Sequence, residues 1–368
     1  MAEPVRKASL KKITIKGFKS IESLVDFEVR PLNILIGANG AGKSNFVDFF
    51  RMLRAMALEG LQKFVLSSGR ADGFLHLGPE HTRRISATLG FDVFTYHFEL
   101  MPTADGSLFI EREEIQFGDN KLKELSGSRR ESILRSFRDQ EPPTAGRLTY
   151  TVILGCMAYH FHDTTNLAPM RRHQPVYDNK YLRPDASNIA AFLLQLREKH
   201  KGSYDLIRDT VRLIAPFFDD FLLEIETMGP EEKVKLGWRQ KGSDFPFQPY
   251  QLSDGTIRFI CLATALLQPD LPAAIVIDEP ELGLHPDAIG IVAALIQSAA
   301  EATQVIVSTQ SPGLLDQFKP EDIVVVKRER GRSVFERLDR AALKEWLDEY
   351  SIADLWQQNV LRAGPTHE

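Results

Sequence analysis

The chain has 368 residues, 43% of them hydrophobic and 26% charged, and a formal net charge of −5. This composition is that of a folded globular protein with one large α/β domain or two. The acidic balance excludes a polycation that would bind nucleic acid over its whole surface. Cys156 and Cys261 lie too far apart for a disulfide framework or a cysteine zinc cluster. The polar, basic start and the lack of a long apolar segment predict a cytoplasmic protein without membrane contact.

The first 120 residues are predicted to form β structure around one helix. Alternating apolar residues predict strands between residues 10 and 36, and apolar residues at helical spacing predict a helix over 43–66. Further strands are predicted to form an antiparallel meander, at residues 85–91, 94–100 and 108–117. Residues 1–120 therefore read as a first lobe.

The middle of the chain, residues 121–250, is predicted to be a compact and mostly helical insert. The charged stretch 121–143 reads as a helix that ends at a Pro-Pro pair, and two helical patterns lie within 187–228. The insert has no heptad repeat, so a long coiled coil is not expected. Residues 251–368 alternate between helix and strand as in a parallel α/β sheet, which completes a single domain over 1–368.

A complete phosphate-binding loop, G-x-x-x-x-G-K-S, occupies residues 37–44 directly after an apolar run. The glycines let the backbone curl around an anion, and a helix that begins near Lys43 directs its positive end to the same place. In such loops the lysine reaches the β- and γ-phosphates and the Ser44 hydroxyl binds Mg²⁺. The motif predicts that the nucleotide is held by Gly37, Asn39, Gly40, Ala41, Gly42, Lys43, Ser44 and Asn45.

A second acidic motif, AIVIDE, occupies residues 274–279. An apolar strand buried on both faces places the acids that follow it where parallel sheets bind ligands. Asp278 is expected to hold Mg²⁺ through a coordinated water, and Glu279 to orient or deprotonate the attacking water. An Asp-Glu pair alone is weak support for a site, but the phosphate loop upstream favours catalysis over a chance strand end.

A third motif, LSDGT at residues 252–256, precedes an apolar helix. Ser253 is a suitable N-cap, and Gly255 leaves the start of the helix sterically open. Such a start can bind a second anion. Taken alone, these residues fit an ordinary capped helix better than a ligand site.

The order of these three motifs resembles the ABC-class ATPases. Three further segments resemble those of the branch that contains RecF, SMC and OLD-type proteins. They are KGFKSI at 16–21, ELGLHP at 281–286 and YSIADLW at 350–356. Within that branch the chain most resembles stand-alone prokaryotic ATPases without a coiled coil or a nuclease domain. The resemblance implies an ABC-type ATPase head: an α/β fold with a P-loop parallel sheet, an antiparallel β meander and a compact helical insert.

The resemblance also implies a homodimer or higher oligomer in which each ATP lies between the P-loop of one copy and the signature helix of the other. Ser253 and Gly255 would then contact the γ-phosphate across the interface. Lys19 matches a basic position near the phosphates, although an ordinary exposed lysine fits equally well. The interface would include Glu281, Gly283 and His285.

The chain departs from the family pattern in three places. Asp254 replaces a glycine of the signature, which would weaken ATP-driven closure or require a nearby cation. Gln310 replaces the switch histidine; it can donate a hydrogen bond to the γ-phosphate but cannot take up a proton near neutral pH, so we expect slow hydrolysis. The glutamine that usually follows the first lobe has no clear match, and the candidates in its place are His162, Asp163, Gln116 and Gln174.

Two functions remain open on this basis. In the first, an ATP-gated dimer acts in DNA repair or in defence against phage or plasmids, together with a separately encoded effector such as a nuclease. DNA contact is possible there through basic clusters within 129–138, 171–172 and 327–332. In the second, a nucleotide-gated switch binds a protein partner without direct DNA contact. The motor subunit of a membrane transporter fits less well, because the extended antiparallel meander and the lack of the switch histidine are not typical of such a subunit.

Overall fold

The structure is a computed structural model that describes residues 8–118, 123–140 and 144–361. The chain divides into two compact units. The first unit contains the described residues up to 158, with 272–278 and those from 303 onward; the second contains 159–271 and 279–302. This partition differs from the predicted lobe, insert and C-terminal part, which stay a prediction.

Strands and helices in the described part of the chain are numbered in chain order. The strands are β1 (Leu10–Phe18), β2 (Ile21–Glu28), β3 (Leu32–Ile36), β4 (Ile85–Phe91), β5 (Phe94–Pro102), β6 (Leu108–Phe117), β7 (Lys123–Arg129), β8 (Cys156–Tyr159), β9 (Gln174–Pro175), β10 (Phe218–Leu222), β11 (Ile225–Met228), β12 (Glu231–Val234), β13 (Gly237–Gln240), β14 (Ala274–Asp278), β15 (Gln304–Thr309), β16 (Ile323–Glu329) and β17 (Arg332–Arg337). The helices are α1 (Lys43–Ala57), α2 (Leu61–Ser67), α3 (Ala145–Leu154), α4 (Ile189–Lys199), α5 (Lys201–Ile214), α6 (Asp254–Leu267), α7 (Pro286–Ala302), α8 (Pro312–Leu315), α9 (Lys344–Leu347) and α10 (Ile352–Gln357).

An antiparallel sheet of the first unit has the strand order β2-β1-β4-β5-β6-β7. In β4 the buried residues alternate strictly with partly exposed ones, and most of β5 follows the same pattern. This alternation is what a sheet with one face on the core requires. The predicted meander is therefore confirmed.

The continuous helix predicted over 121–143 is wrong: in the described part of that range, only Leu134–Phe137 form a helical turn, a short 3-10 helix. Residues 123–129 form β7, which pairs antiparallel with β6 at the edge of the sheet. Gly127 and its serine neighbours have low helix propensity, and an edge strand with exposed charges such as Arg129 needs no apolar stripe. Residues 121–122 and 141–143 lie outside the described part.

A second sheet of the first unit has the order β17-β16-β3-β15-β14-β8. The pairs β3–β15, β14–β15 and β3–β16 are parallel, and β16–β17 is antiparallel. Every residue of β3 and β15 is buried, because elements cover both faces of such a sheet. The predicted P-loop strand is thus central, and the acidic strand β14 is one strand removed from it.

The helix that follows the P-loop is anchored by aromatic side chains. Phe46, Phe49 and Phe50 of α1 are fully buried. The ring of Phe49 meets Phe18 edge-on at 5.6 Å between centroids, and Phe46 meets Phe50 at 5.5 Å. Burying one such ring stabilises the fold by about 1.5–3 kcal/mol, so the start of α1 is held rigidly. The helix predicted over 43–66 is interrupted near Gly60, which separates α1 from α2.

The second unit is built around α6, the helix that begins in the LSDGT motif and is called the signature helix below. Helix α6 packs against α5 and α7, and α4 packs on α5. Small sheets, β10–β13 and β11–β12–β9, belong to the same unit. The helical patterns predicted within 187–228 are confirmed by α4 and α5. In the described ranges, no helix combines the length and the hydrophobicity needed to cross a bilayer.

Candidate nucleotide-binding site

The P-loop connects β3 to α1 with a backbone that excludes larger side chains. Gly42 has φ +110° and forms the N-cap position of α1. A Cβ at this position would overlap the hydroxyl oxygens of Ser333 and Ser20. Left-handed geometry and close contact therefore both require glycine here.

Hydroxyl groups fix the loop from the side of β17. Ser333 Oγ donates to the Ala41 carbonyl oxygen at 2.5 Å and lies 2.7 Å from Ser20 Oγ. Asn45 Nδ2 donates to Ser20 Oγ at 2.6 Å. Asn45, predicted to contact nucleotide, thus has its side-chain amide in this network. Ser333 was missed by sequence reasoning, since a single serine in a distant charged strand gives no signal.

Lys43 is held inside the loop by main-chain oxygens. Its Nζ donates to the carbonyl of Gly37 at 2.6 Å and to that of Ala38 at 3.1 Å. The residue is only 4% exposed. The ammonium group is therefore already ordered among the carbonyls of the loop, and little side-chain entropy remains to be lost when it binds an anion.

The two predicted metal ligands lie together. Ser44 Oγ donates to Asp278 Oδ1 at 3.5 Å, and the hydroxyl of fully buried Ser308 donates to the same oxygen. The cause is register: Asp278 of β14 pairs with Ser308 of β15, which pairs with Leu35 of the P-loop strand. Hydroxyl and carboxylate oxygens are the ligands that Mg²⁺ prefers, so these residues fit that ion. Sequence reasoning missed Ser308; its one signal was a polar residue in an apolar strand.

The proposed catalytic residues follow the ends of neighbouring strands. Glu279 comes directly after β14 with φ +47°, and its carbonyl accepts from Leu282 N at 3.2 Å. A left-handed non-glycine residue costs about 1–3 kcal/mol, and such strain is concentrated at functional sites. Strand β15 ends at Thr309 opposite Ile36, so Gln310 leaves the sheet at the edge where the P-loop begins.

Lys19 is engaged by a carboxylate of α1. Its Nζ lies 2.6 Å from Asp48 Oδ2 and 5.2 Å from the centre of the Phe74 ring. Asp48 also pairs with Arg51 at 2.8 Å. A phosphate contact would require Lys19 to leave this carboxylate, and its role at the nucleotide stays a prediction.

In the second unit, the signature residues have the geometry of a tight helix start. Ser253 caps α6 by accepting from Thr256 N at 3.1 Å. A Cβ on Gly255 would lie 2.5 Å from the Gly283 carbonyl oxygen, so this contact admits only glycine. Asp254 Oδ1 accepts from Arg171 Nη2 at 2.9 Å, so a cation lies next to it, which was one of the two alternatives that the sequence left open.

Arg258 connects the signature helix to two neighbouring segments of the second unit. Its guanidinium donates to the carbonyls of Phe161 at 2.9 Å and His162 at 3.1 Å, and also to that of Leu282. Burial lowers the pKa of Arg258, and the nearby Asp254 carboxylate partly offsets this. The signature helix, the 161–162 segment and the segment after Glu279 are thereby joined through one side chain.

The candidates for the missing glutamine occupy different settings. Asp163 Oδ1 accepts from Thr165 N at 3.1 Å, which closes a local turn. Gln174 is buried, and its Oε1 accepts from Ala190 N at 2.7 Å near the start of α4. Gln116 lies in β6 opposite Thr95. The residue that takes the role of this glutamine stays a prediction.

The signature residues open onto a cleft of about 820 Å³ in the second unit. Ser253, Gly255 and Thr256 line one side, and residues 283–288 line another. The end of α5, with Leu213, Ile214 and Pro216, completes the lining. This space is wide enough to admit phosphate groups.

The P-loop, the acidic strand end and the parallel sheet give the chain the fold of an ABC-type ATPase head. A family model described as "AAA domain, putative AbiEii toxin, Type IV TA system" matches residues 32–316, well over half of the chain. The chain belongs to this family of ATPase domains.

Solved structures of SMC heads share the fold. An SMC head bound to the C-winged helix domain of ScpA has a TM-score of 0.60 and 15% identity, over 91% of this chain and 99% of that chain. A Pyrococcus furiosus SMC head with an extended coiled coil, bound to the C-terminal domain of ScpA, has a TM-score of 0.57 and 14% identity, over 93% and 99%. A Pyrococcus yayanosii head with a coiled coil and joint has a TM-score of 0.58 and 12% identity, over 93% and 99%. No curated protein sequence matches the chain significantly.

Proposed function

We propose that this protein is a cytoplasmic Mg²⁺-dependent ATPase in which ATP holds two copies head to tail. The observation that carries the proposal is the convergence of Lys43, Ser44 and Asp278 on the P-loop edge of one sheet. An ordered lysine, a hydroxyl and a carboxylate at the start of α1 are the groups that nucleotide phosphates and their metal require.

Each residue has a distinct part in the proposed hydrolysis. Ser44 and Asp278 would hold Mg²⁺, which neutralises phosphate charge when bound. Lys43 and the loop N–H groups bind the phosphate oxygens. Glu279 orients the attacking water and accepts its proton, and Gln310 donates a hydrogen bond to the γ-phosphate. Without a histidine at position 310, turnover is slow.

The second half of the proposed site comes from the partner copy. Ser253 and the N-terminal end of α6 provide donors for a phosphate, and Gly255 lets this helix start pack against the Gly283 carbonyl beside it. The cleft beside them supports this role, because it leaves the signature residues accessible. Each copy would then supply a P-loop to one nucleotide and a signature helix to the other.

The proposal is tested by the mass of the protein in solution. Glu279→Gln keeps ATP binding but blocks hydrolysis, so we expect sedimentation velocity to show a shift from the 41.6 kDa monomer to a dimer with Mg-ATP, but not with ADP. Ser253→Arg in the same background should bind ATP and remain monomeric. A Glu279→Gln variant that hydrolyses as fast as the parent would contradict the role of Glu279.

The cellular role is proposed from the family description, which names a toxin–antitoxin system. We propose that the ATPase acts in defence or DNA repair through a separate effector, such as a nuclease. A specific observation also favours the alternative of a protein-binding switch without DNA contact. Basic residues of the predicted clusters pair with carboxylates, among them Arg130 with Asp105 at 2.7 Å, Arg135 with Glu59 at 3.3 Å and Arg332 with Glu22 at 3.0 Å.

DNA binding separates the two roles. Contact with phosphates would appear as binding that falls steeply with salt, with and without ATP. The switch predicts no DNA binding at low salt and a partner protein whose capture depends on nucleotide.

A further inference from the structure

Arg171 of the second unit is a buried guanidinium that reaches the signature loop. Its side chain is 3% exposed, and it lies at the end of a short 3-10 helix formed by Pro169–Arg171. Nε donates to the Thr164 carbonyl at 2.9 Å. Nη1 donates to the carbonyls of Pro249 and Leu252, the latter at 3.1 Å. The guanidinium thus fixes the main chain on both sides of the turn that leads into Ser253.

The remaining arm of the guanidinium holds the unusual acid of the signature. Nη2 donates to Asp254 Oδ1 at 2.9 Å, and the Asp254 side chain is 69% exposed. Asp254 is the first residue of α6, so its charge lies at the N-terminal end of the helix. An exposed carboxylate there repels a triphosphate, whereas a buried arginine beside it attracts one.

We propose that Arg171 is the positioning residue of the signature loop, and that Asp254 limits the affinity of that loop for the partner's ATP. The inference rests on the proposed function, since it concerns the half of the site that a second copy would use. Arg171 shapes the backbone around Ser253 without touching nucleotide. Asp254 offsets the positive potential that Arg171 and the start of α6 create, and so keeps ATP-driven closure reversible.

The two residues are predicted to act in opposite directions. Asp254→Asn keeps a hydrogen-bond acceptor for Arg171 but removes the charge, and it should tighten ATP-driven dimerisation roughly 3- to 10-fold. Arg171→Lys keeps the charge but loses the planar fork, and it should weaken dimerisation at least about 10-fold. Both variants should bind ATP as monomers with unchanged affinity, because the P-loop is intact. If the two residues only stabilised the fold, their variants would not change ATP-driven dimerisation while leaving the ATP affinity of the monomer unchanged.

Matched controls exist for both changes. Arg172→Lys alters an exposed neighbour, and Asp244→Asn removes an exposed carboxylate from the same unit. Each should leave dimerisation at the parent level. All variants are made in the Glu279→Gln background and compared by sedimentation velocity over a range of ATP concentrations.

Hydrogen exchange of the nucleotide-free protein tests the positioning role without a dimer. Arg171→Lys should exchange faster than Arg172→Lys at residues 249–256, while segments of the first unit stay unchanged. Equal exchange in the two variants overturns the role of Arg171, and weaker or unchanged dimerisation in Asp254→Asn overturns the role of Asp254. A parent that never dimerises with ATP refutes the proposed function and the role of Asp254 with it. In that case the hydrogen-exchange comparison still tests the positioning role of Arg171.

Discussion

At the scale of single residues, the site is ordered by hydroxyl groups as much as by its charged residues. Ser308 holds the carboxylate of Asp278 at the oxygen that also faces Ser44. Ser333 holds the loop through the Ala41 carbonyl, and Ser20 bonds to Ser333 and to Asn45. Such hydroxyl groups orient the residues that bind metal or phosphate and make no contact with the metal or phosphate themselves. Their loss typically weakens metal binding 10- to 100-fold.

Ser308→Ala is therefore expected to raise the Mg²⁺ concentration needed for half-maximal ATPase activity about 10-fold. The Asp278 carboxylate would lose a donor and part of its fixed orientation. A magnesium titration of turnover measures the effect. Ser67→Ala, at an exposed helix end, serves as the control. An unchanged titration would show that Asp278 needs no help from Ser308.

Gln310 allows a prediction about pH. Glutamine does not titrate, whereas a histidine has a pKa near 6.5 and is charged below it. A charged imidazolium would stabilise the γ-phosphate better, so the turnover of Gln310→His relative to the parent should rise as the pH falls through about 6.5. A ratio that stays flat from pH 6 to 8 would place Gln310 away from the phosphate.

At the scale of elements, the P-loop depends on the strand pair β16–β17 as well as on its own sequence. Gly42 has no space for a side chain beside Ser333, whereas nothing lies within 4 Å of a Cβ on Gly40. Both glycines have positive φ, so an alanine at either position would strain the backbone. Only an alanine at position 42 would also overlap a neighbouring side chain. Substitutions at these positions separate the two effects.

Gly42→Ala should destabilise the protein by about 2–4 kcal/mol or displace the loop so that ATP no longer binds. Gly40→Ala carries only the strain and should cost about 1 kcal/mol. Thermal unfolding and calorimetric titration with Mg-ATP measure both variants. Equal losses in the two would mean that contact with β17 does not shape the loop.

The elements also show how far the sequence predicts the fold. Strict alternation in β4 and apolar runs in β3 and β14 identified those strands, because burial on one face or two leaves a clear pattern. The edge strand β7 leaves none, since Leu125 is the single apolar residue in its sequence KELSGSR and its pairing with β6 is made by main-chain hydrogen bonds. The P-loop and acidic motifs located Ser44 and Asp278, but Ser308 and Arg171 act through spatial contacts that no local spacing encodes.

At the scale of the whole molecule, each unit carries one buried thiol. Cys156 lies in the first unit and Cys261, on the signature helix, in the second. Burial raises the pKa of the Cys156 thiol to about 12, and it also raises the pKa of Cys261. Both thiols are therefore protonated and shielded at neutral pH.

Thiol labelling then reports the integrity of both units. At pH 8 the native protein should react at least about 100-fold more slowly than the unfolded chain, where cysteine has its ordinary pKa. Cys156→Ser and Cys261→Ser assign the slow reactions to one unit each. Labelling of either thiol in the native protein at the rate of a free cysteine would contradict its burial.

The proposed head-to-tail site can be tested most directly by mixing two inactive variants. Lys43→Ala removes the P-loop lysine but leaves its signature intact, and Ser253→Arg does the reverse. In a mixed dimer one of the two sites is complete. An equimolar mixture should therefore recover about a quarter of the parent ATPase rate if the copies pair at random, and up to about half if only mixed dimers form, while each variant alone stays inactive. A mixture no more active than its separate components would contradict a site shared between two copies.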